Sequence, residues 1–150
     1  MKLSTKGRYG LRALIDLAVY SEKEVVSISS IASRENISLS YLEQLVAKLK
    51  KAGLVVSVRG AGGGYQLARD AADISVGDIL RALEGNLDAV ECPGLSSSCE
   101  DADTCVTKFV WEKINNSITK AVDEITLEQL VYESKKVQFK GQKGVSECQN

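Results

Sequence analysis

Apolar residues in the first third of the chain recur at helical spacing. Leu11, Leu14, Ile15, Ala18 and Val19 fall at i, i+3, i+4, i+7 and i+8, which predicts a first helix from Lys6 to Tyr20 with one buried face. Glu22, Lys23 and Glu24 mark a polar turn, and Val25-Val26 predicts a short extended piece. Ser27 suits the N-cap of a second helix, Ile28 to Glu35, with Ile28, Ile31 and Ala32 turned inward. Asn36 can adopt the left-handed conformation that ends it. A third helix opens at Ser38 or Ser40 and closes near Ala52, stopped by Gly53; Leu42, Leu45, Val46 and Leu49 form its apolar face. Ser40 and Glu43 have the spacing of a capping box, in competition with a Ser38 cap.

After Gly53 the pattern changes. Leu54-Val55-Val56-Ser57-Val58-Arg59 is β-branched and strand-like, Gly60-Ala61-Gly62-Gly63-Gly64 is a flexible turn, and Tyr65-Gln66-Leu67 is the return strand. Three helices followed by a glycine-tipped hairpin is the order of a winged helix. A fourth helix follows from Ser75 (Val76, Ile79, Leu80, Leu83), capped by Ser75 or Asp73 and stopped by Gly85. Residues 86–104 read as a loop, with the only proline, Pro93, and an acidic run. Val106, Val110, Ile114 and Ile118 then step by four in a long helix, with Phe109, Trp111, Val122 and Ile125 alongside. That stripe is wide enough for a dimer interface or for packing onto the chain's own core. Thr126 and Gln129 have capping-box spacing for a short final helix from Leu127 to about Glu133, and the tail from Lys135 is expected to be loosely ordered.

The expected fold is mainly α with a small β wing (α+β). Its divisions are a winged helix-turn-helix over 1–70, a linker helix and cysteine loop over 71–105, a long dimerisation helix and short final helix over 106–134, and a tail over 135–150.

Charge sharpens this picture. The net charge of −1 conceals 11 basic and five acidic residues over 1–69, against 8 and 15 from position 70 onward. A first half at +6 beside a second at −7 suggests a polyanion-binding module joined to something with another task. No stretch approaches a membrane span and no signal-peptide run opens the chain, so a cytoplasmic protein without a membrane partner is expected. The absence of histidine excludes imidazole ligation and histidine-based catalytic triads.

In a helix-turn-helix the second helix lies in the major groove of double-stranded DNA, its N-terminal side chains on base edges. Here those are Ser38, Ser40, Tyr41, Glu43 and Gln44; Gln pairs with adenine, Ser donates or accepts, and Glu accepts from cytosine. Ser40 and Glu43 are equally explained as caps, and Tyr41 as core. Lys48, with Lys50 and Lys51, is placed for phosphates. In the wing, Gly60, Gly62, Gly63 and Gly64 let the backbone approach a phosphate chain, and Arg59 at the hairpin base can enter a narrow minor groove. A nucleotide-binding loop is excluded, because the glycines end in Tyr65 with no Gly-Lys-Ser/Thr and no helix N-terminus after them.

Three of the four cysteines, Cys92, Cys99 and Cys105, fall within fourteen residues, and Cys148 lies in the tail. In a reducing compartment such a cluster points to a metal or redox site. Soft thiolates suit iron–sulfur clusters, zinc or copper(I), and the spacing does not choose among them or exclude free thiols. A thiol redox enzyme is disfavoured by the lack of a Cys-x-x-Cys motif and of a thioredoxin-like βαβ pattern.

MKLSTKGRYGLRAL at the start, ISLSYLEQLVAKLKKAGLV in the third helix and VRGAGGGYQLARD in the wing resemble the iron–sulfur cluster regulator family, IscR and its relatives. The resemblance continues through SVGDIL, the cysteine loop and ITLEQL. It implies a non-enzymatic winged-helix repressor or activator, with repression the favoured sign. It also implies a homodimer reading a pseudo-palindromic operator, in control of iron–sulfur assembly or related genes. Base reading would fall to Ser40, Glu43 and Gln44, minor-groove contact to Arg59, and an iron–sulfur cluster to Cys92, Cys99 and Cys105, with 2Fe–2S favoured over 4Fe–4S. Three departures stand out. Six residues rather than five separate Cys92 from Cys99, and the family's histidine ligand is Lys108 here. The carboxylate that related nitric-oxide sensors take from the N-terminal helix of the other subunit is replaced by Arg8. The fourth ligand is therefore open among solvent, Glu100, Asp101, Asp103 and Cys148, and such a cluster should be labile. The alternative is a cluster-free cysteine- or sulfur-metabolism repressor of the same fold acting through a protein partner, a type that lacks the triple-cysteine loop.

Overall fold

The computed structural model describes residues 2–96 and 98–147, with backbone only over 141–147. Its helices are α1 (Thr5–Tyr20), α2 (Ile28–Glu35), α3 (Leu39–Lys51), α4 (Val76–Glu84), α5 (Val106–Asp123) and α6 (Leu127–Glu147). Strands β1 (Val55–Val58) and β2 (Gly64–Leu67) form an antiparallel hairpin in which Val55 faces Leu67 and Val58 faces Gly64. The extended piece expected at Val25-Val26 is a single bridge, with Val26 and Tyr65 exchanging both backbone hydrogen bonds at 3.0 and 2.7 Å. Helix-turn-helix and two-stranded wing together make a winged helix.

Local chemistry sets most boundaries. Ser27 caps α2 through the Ser30 N–H at 3.2 Å, and Asn36 ends it at φ 52°. Ser38, not Ser40, caps α3, because Ser38 holds extended backbone while its hydroxyl accepts the Tyr41 N–H at 3.4 Å. The capping box read from Ser40 and Glu43 does not form. At α4 the box is Ser75 with Asp78, each side chain bonded to the other's backbone N–H. Thr126 and Gln129 do the same at the start of α6.

The last helix differs from expectation. Rather than stopping near Glu133, α6 runs to Glu147, so residues 135–147 are helical. Nothing in that stretch breaks a helix. It has no proline, and its two glycines, at 141 and 144, each weaken a helix by only about 1 kcal/mol. Lys135 also grips Glu22, just beyond α1, at 2.9 Å.

The core lies where α1, α3 and α4 meet the hairpin and the first turns of α6, and includes Leu14, Leu42, Leu45, Leu49, Leu54, Ile74, Ile79 and Leu127. A second cluster of Val76, Leu80 and Leu87 gathers Leu3, Leu11, Val122 and Leu130. Asp16, buried in α1, takes two hydrogen bonds from Arg34 of α2 at 2.7 and 2.8 Å, and Arg34 lies over the Tyr20 ring. This bidentate pair locks the first two helices together.

Along α5, half-buried Trp111, Ile118 and Val122 share a face with buried Asn115, and the helix packs against α4 and the loop before it. The other face is uncovered: Val106 is 82% and Phe109 67% exposed, with Val110 and Ile114 beside them. Of the two uses read for this stripe, packing onto the chain's own core does not occupy these residues.

Gly10 of α1 faces α4 so closely that a Cβ would collide with the Leu83 side chain. Gly10→Ala should therefore destabilise the protein by roughly 1–3 kcal/mol through overpacking, although alanine is the better helix former. Urea unfolding of the two proteins measures the difference.

Candidate DNA-reading face and cysteine loop

Helix α3 is amphipathic about Leu42, Leu45, Val46 and Leu49, which are buried, so Ser38, Ser40, Glu43, Gln44 and Lys48 are turned to solvent. Since Ser38 does the capping, Ser40 and Glu43 have no side-chain hydrogen bond or ion pair among the described residues. Tyr41 is half-buried. Its hydroxyl donates to the Thr5 hydroxyl at 3.2 Å, and its ring meets Tyr9 edge-on. The lysines divide: Lys50 donates to Ser57 of β1 at 2.9 Å, joining helix to wing, whereas Lys48 and Lys51 point outward.

The wing tip is a defined turn rather than a loose one. Gly60 and Gly62 sit at φ 104° and 76°, a region that side chains rarely enter, and the Gly63 N–H closes on the Gly60 carbonyl at 2.9 Å. Gly64 begins β2. Arg59 directly follows β1 and leads into this turn, exposed and without an ion-pair partner among the described residues.

One contributor carries no local signal. The first turn of α1 has no acidic residue and carries Lys6 and Arg8, the wrong charges for the positive end of a helix. Glu84, at the end of α4, supplies the missing anion. Its Oε1 accepts from the Ser4 N–H at 2.9 Å, the Ser4 hydroxyl at 2.6 Å and the Gly7 N–H at 3.0 Å. Burial would push the Glu84 carboxyl up, but the hydrogen bonds from Ser4 and Gly7 and the charge of Lys6 hold it below the usual carboxylate range. The α1 start is thus held between α4 on one side and Tyr41 of α3 on the other. Eighty residues separate Glu84 from Ser4, which is why sequence periodicity does not show the contact.

The cysteine loop leaves α4 at Gly85 and contains a short 3-10 turn, Pro93–Ser96. Cys92, Cys99 and Cys105 are free, the first half-buried and the other two exposed; Cys148 lies outside the described residues. Cys92 and Cys99 flank Gly94, where a Cβ would lie 3.6 Å from the Cys92 Sγ and 3.8 Å from the Cys99 Cβ. Cys105 is the N-cap residue of α5. Hydrogen bonds from the Thr107 hydroxyl and from the Lys108 N–H hold its thiol below the ordinary cysteine range, outweighing the opposing charge of Asp101. Three free thiols in one loop, one of them biased toward thiolate, form a donor set suited to a soft metal centre. They are not gathered: among the described residues, no three Cys, Asp or Glu side chains come close enough to hold a metal ion. Lys108, where a histidine was expected, is half-buried on the first turn of α5, and its ammonium has no lone pair to offer.

A family model described as "Rrf2: Iron-dependent Transcriptional regulator" matches residues 3–133. The chain belongs to the Rrf2 family. The HTH-type transcriptional regulator IscR of Vibrio vulnificus is 43% identical over 139 residues, covering 93% of this chain and 82% of that protein. IscR of Pectobacterium atrosepticum is 44% identical over 131 residues, or 87% and 79% of the two chains. Among solved structures, T. potens IscR superposes with a TM-score of 0.74 at 48% identity, covering 92% of this chain and 91% of that one. CymR, the global cysteine regulator of B. subtilis, has a TM-score of 0.74 at 42% identity over 89% of this chain and 98% of that one. The protein is thus an Rrf2-type transcriptional regulator, a non-enzymatic class. No helix among the described residues is long and apolar enough to cross a membrane.

The Glu84 cap makes stability depend on acid. A carboxyl held below its unfolded value, about 4.3, contributes stability that is present above that value and lost as pH falls through the depressed folded one. Glu84→Ala should lose roughly 1–2 kcal/mol at neutral pH. Glu84→Gln keeps an accepting oxygen but should flatten the acid limb of a stability-against-pH curve measured by thermal melting from pH 7 to 3.

Proposed function

We propose that this Rrf2 protein is a homodimeric regulator that reads a pseudo-palindromic DNA duplex and senses iron–sulfur status through Cys92, Cys99 and Cys105. The observation that carries the DNA reading is the exposed row Ser40, Glu43 and Gln44, uncommitted to the fold, on a helix that packs against the first strand of the Arg59 hairpin. Gln44 and Glu43 carry the donors and acceptors that distinguish base edges in the major groove, and Ser38 and Ser40 are small enough to permit close approach. Tyr41, Lys48 and the main chain at Gly60, Gly62, Gly63 and Gly64 then serve phosphates and register rather than sequence.

Dimerisation is supported by the uncovered apolar row Val106, Phe109, Val110 and Ile114 on α5. A two-fold pair would present two α3 helices to successive turns of one face of the duplex. The site of action is the cytoplasm, where DNA and reduced thiols coexist.

For sensing, the three free thiols of one loop are the support. The IscR name of the V. vulnificus relative and the iron-dependent description of the family point the same way. An iron–sulfur centre, 2Fe–2S in preference to 4Fe–4S, would supply a group whose presence reports iron supply and whose loss reports oxidants. Without a histidine, and with Lys108 at the expected ligand position, the fourth ligand falls to solvent, a loop carboxylate from Glu100, Asp101 or Asp103, or Cys148. That set makes for a labile centre. A cluster-free regulator of cysteine metabolism acting through a protein partner is the second reading, favoured by the equal TM-score with CymR. The three-thiol loop is what weighs against it.

Operator affinity should fall steeply as salt rises, because phosphate contacts release counterions. Arg59→Ala should weaken binding by about 1–3 kcal/mol in a titration at fixed salt. Normal binding by that variant would remove the wing from the reading. Anaerobic reconstitution with iron and sulfide should yield a visible chromophore in the wild type that each of Cys92→Ser, Cys99→Ser and Cys105→Ser loses. A colourless wild type would favour the cluster-free regulator.

A further inference from the structure

On α5, Asn115 is polar yet only 7% exposed, and the helix's own pattern does not require it. Its side-chain oxygen accepts from the Ala89 N–H at 2.9 Å and the Val90 N–H at 3.3 Å, and its amide nitrogen donates to the Val90 carbonyl at 3.1 Å. A buried amide spending its donors and acceptors on two consecutive residues of another segment clamps that segment. The clamped pair stands immediately before Glu91 and Cys92. Just upstream, Leu87 is held in the second apolar cluster.

The far end of the loop is Cys105, the N-cap of the same helix. Ten residues of helix separate it from Asn115, about 15 Å of rigid rod. The segment bearing all three cysteines is therefore strung between two points on α5, with the Pro93–Ser96 turn resting against that helix in between. Cys92, next to the clamp, is the half-buried thiol, whereas Cys99 and Cys105 are exposed. A loop pinned at both ends has fewer conformations to lose when its thiolates close on a metal than one pinned at a single end.

We propose that Asn115 is the positioning residue of the three-thiol site: it sets Cys92 relative to Cys105 and so governs how firmly a soft metal centre is retained, without touching that centre. This rests on the reading that the three loop cysteines hold such a centre. Because the apolar row of α5 lies on the opposite face, the clamp also joins the loop to the helix that would meet a second copy.

The test uses the full-length, metal-free protein with Asn115→Ala and Asn115→Asp. The aspartate keeps both accepted hydrogen bonds but sets an oxygen against the Val90 carbonyl. In the alanine variant iodoacetamide should alkylate Cys92 several-fold faster, with Cys99 and Cys105 unchanged because they are exposed already. Amide exchange should rise at Ala89 and Val90 and not along α1. Cadmium(II) alone, followed by thiolate-to-metal absorbance, should bind about tenfold more weakly, with Asn115→Asp between the alanine variant and the wild type. Wild-type cadmium affinity in both variants would overturn the proposal, as would exchange rising across α1 as well, which marks a general loss of stability. A wild type that takes up no iron–sulfur cluster, while Asn115→Ala still frees Cys92 and weakens cadmium, removes the cluster reading and upholds the clamp.

Discussion

The approach of α1 to α4 is the contact on which the rest of this molecule depends. Gly10 leaves room for Leu83, and Gly7 brings the backbone to the Glu84 carboxylate, so the two helices meet at a separation that ordinary side chains would prevent. Helices usually pack with 8–10 Å between axes because side chains interdigitate, and small residues relax that limit. Here the closeness has an electrostatic purpose as well as a steric one. The start of α1 carries basic residues where a helix favours acidic ones, and only at this range can α4 supply the compensating charge.

From that contact the two functional regions diverge. On one side, the first turn of α1 meets α3 through Thr5, Tyr9 and Tyr41, beside the row proposed to face DNA. On the other, α4 ends at Gly85 and the chain becomes the cysteine loop, which Asn115 returns to α5. The start of α4 is tied to the α5–α6 junction as well, through the Val76 N–H to the Ile125 carbonyl and the Leu127 N–H to the Ile74 carbonyl, both at 2.8 Å. The cysteine loop, the uncovered face of α5 and α3 are therefore connected by packed, hydrogen-bonded elements.

The likeness to both IscR and CymR follows from the same division. Their TM-scores against this chain are equal at 0.74. What distinguishes members of one fold is then a matter of individual residues at sites grafted on it.

The sequence by itself determined what short range controls. Helical periodicity placed α1 to α5. Ser27, Asn36, Ser75 and Thr126 marked helix ends because a cap is satisfied by neighbours three or four residues away, and the glycine run located the hairpin. The three cysteines and the uneven charge were legible as composition. The choice of Ser38 over Ser40 as cap was not legible, since both have the right chemistry and only the tertiary path of the turn selects the one with extended backbone. The persistence of α6 to Glu147 was hidden by a composition that looks loose yet holds no helix breaker. The partners of Asp16, Glu84 and Asn115 could not be read at all. Each is a polar side chain whose hydrogen bonds make sense only once a segment 18, 80 or 25 residues away is packed against it, and that pairing belongs to the folded chain.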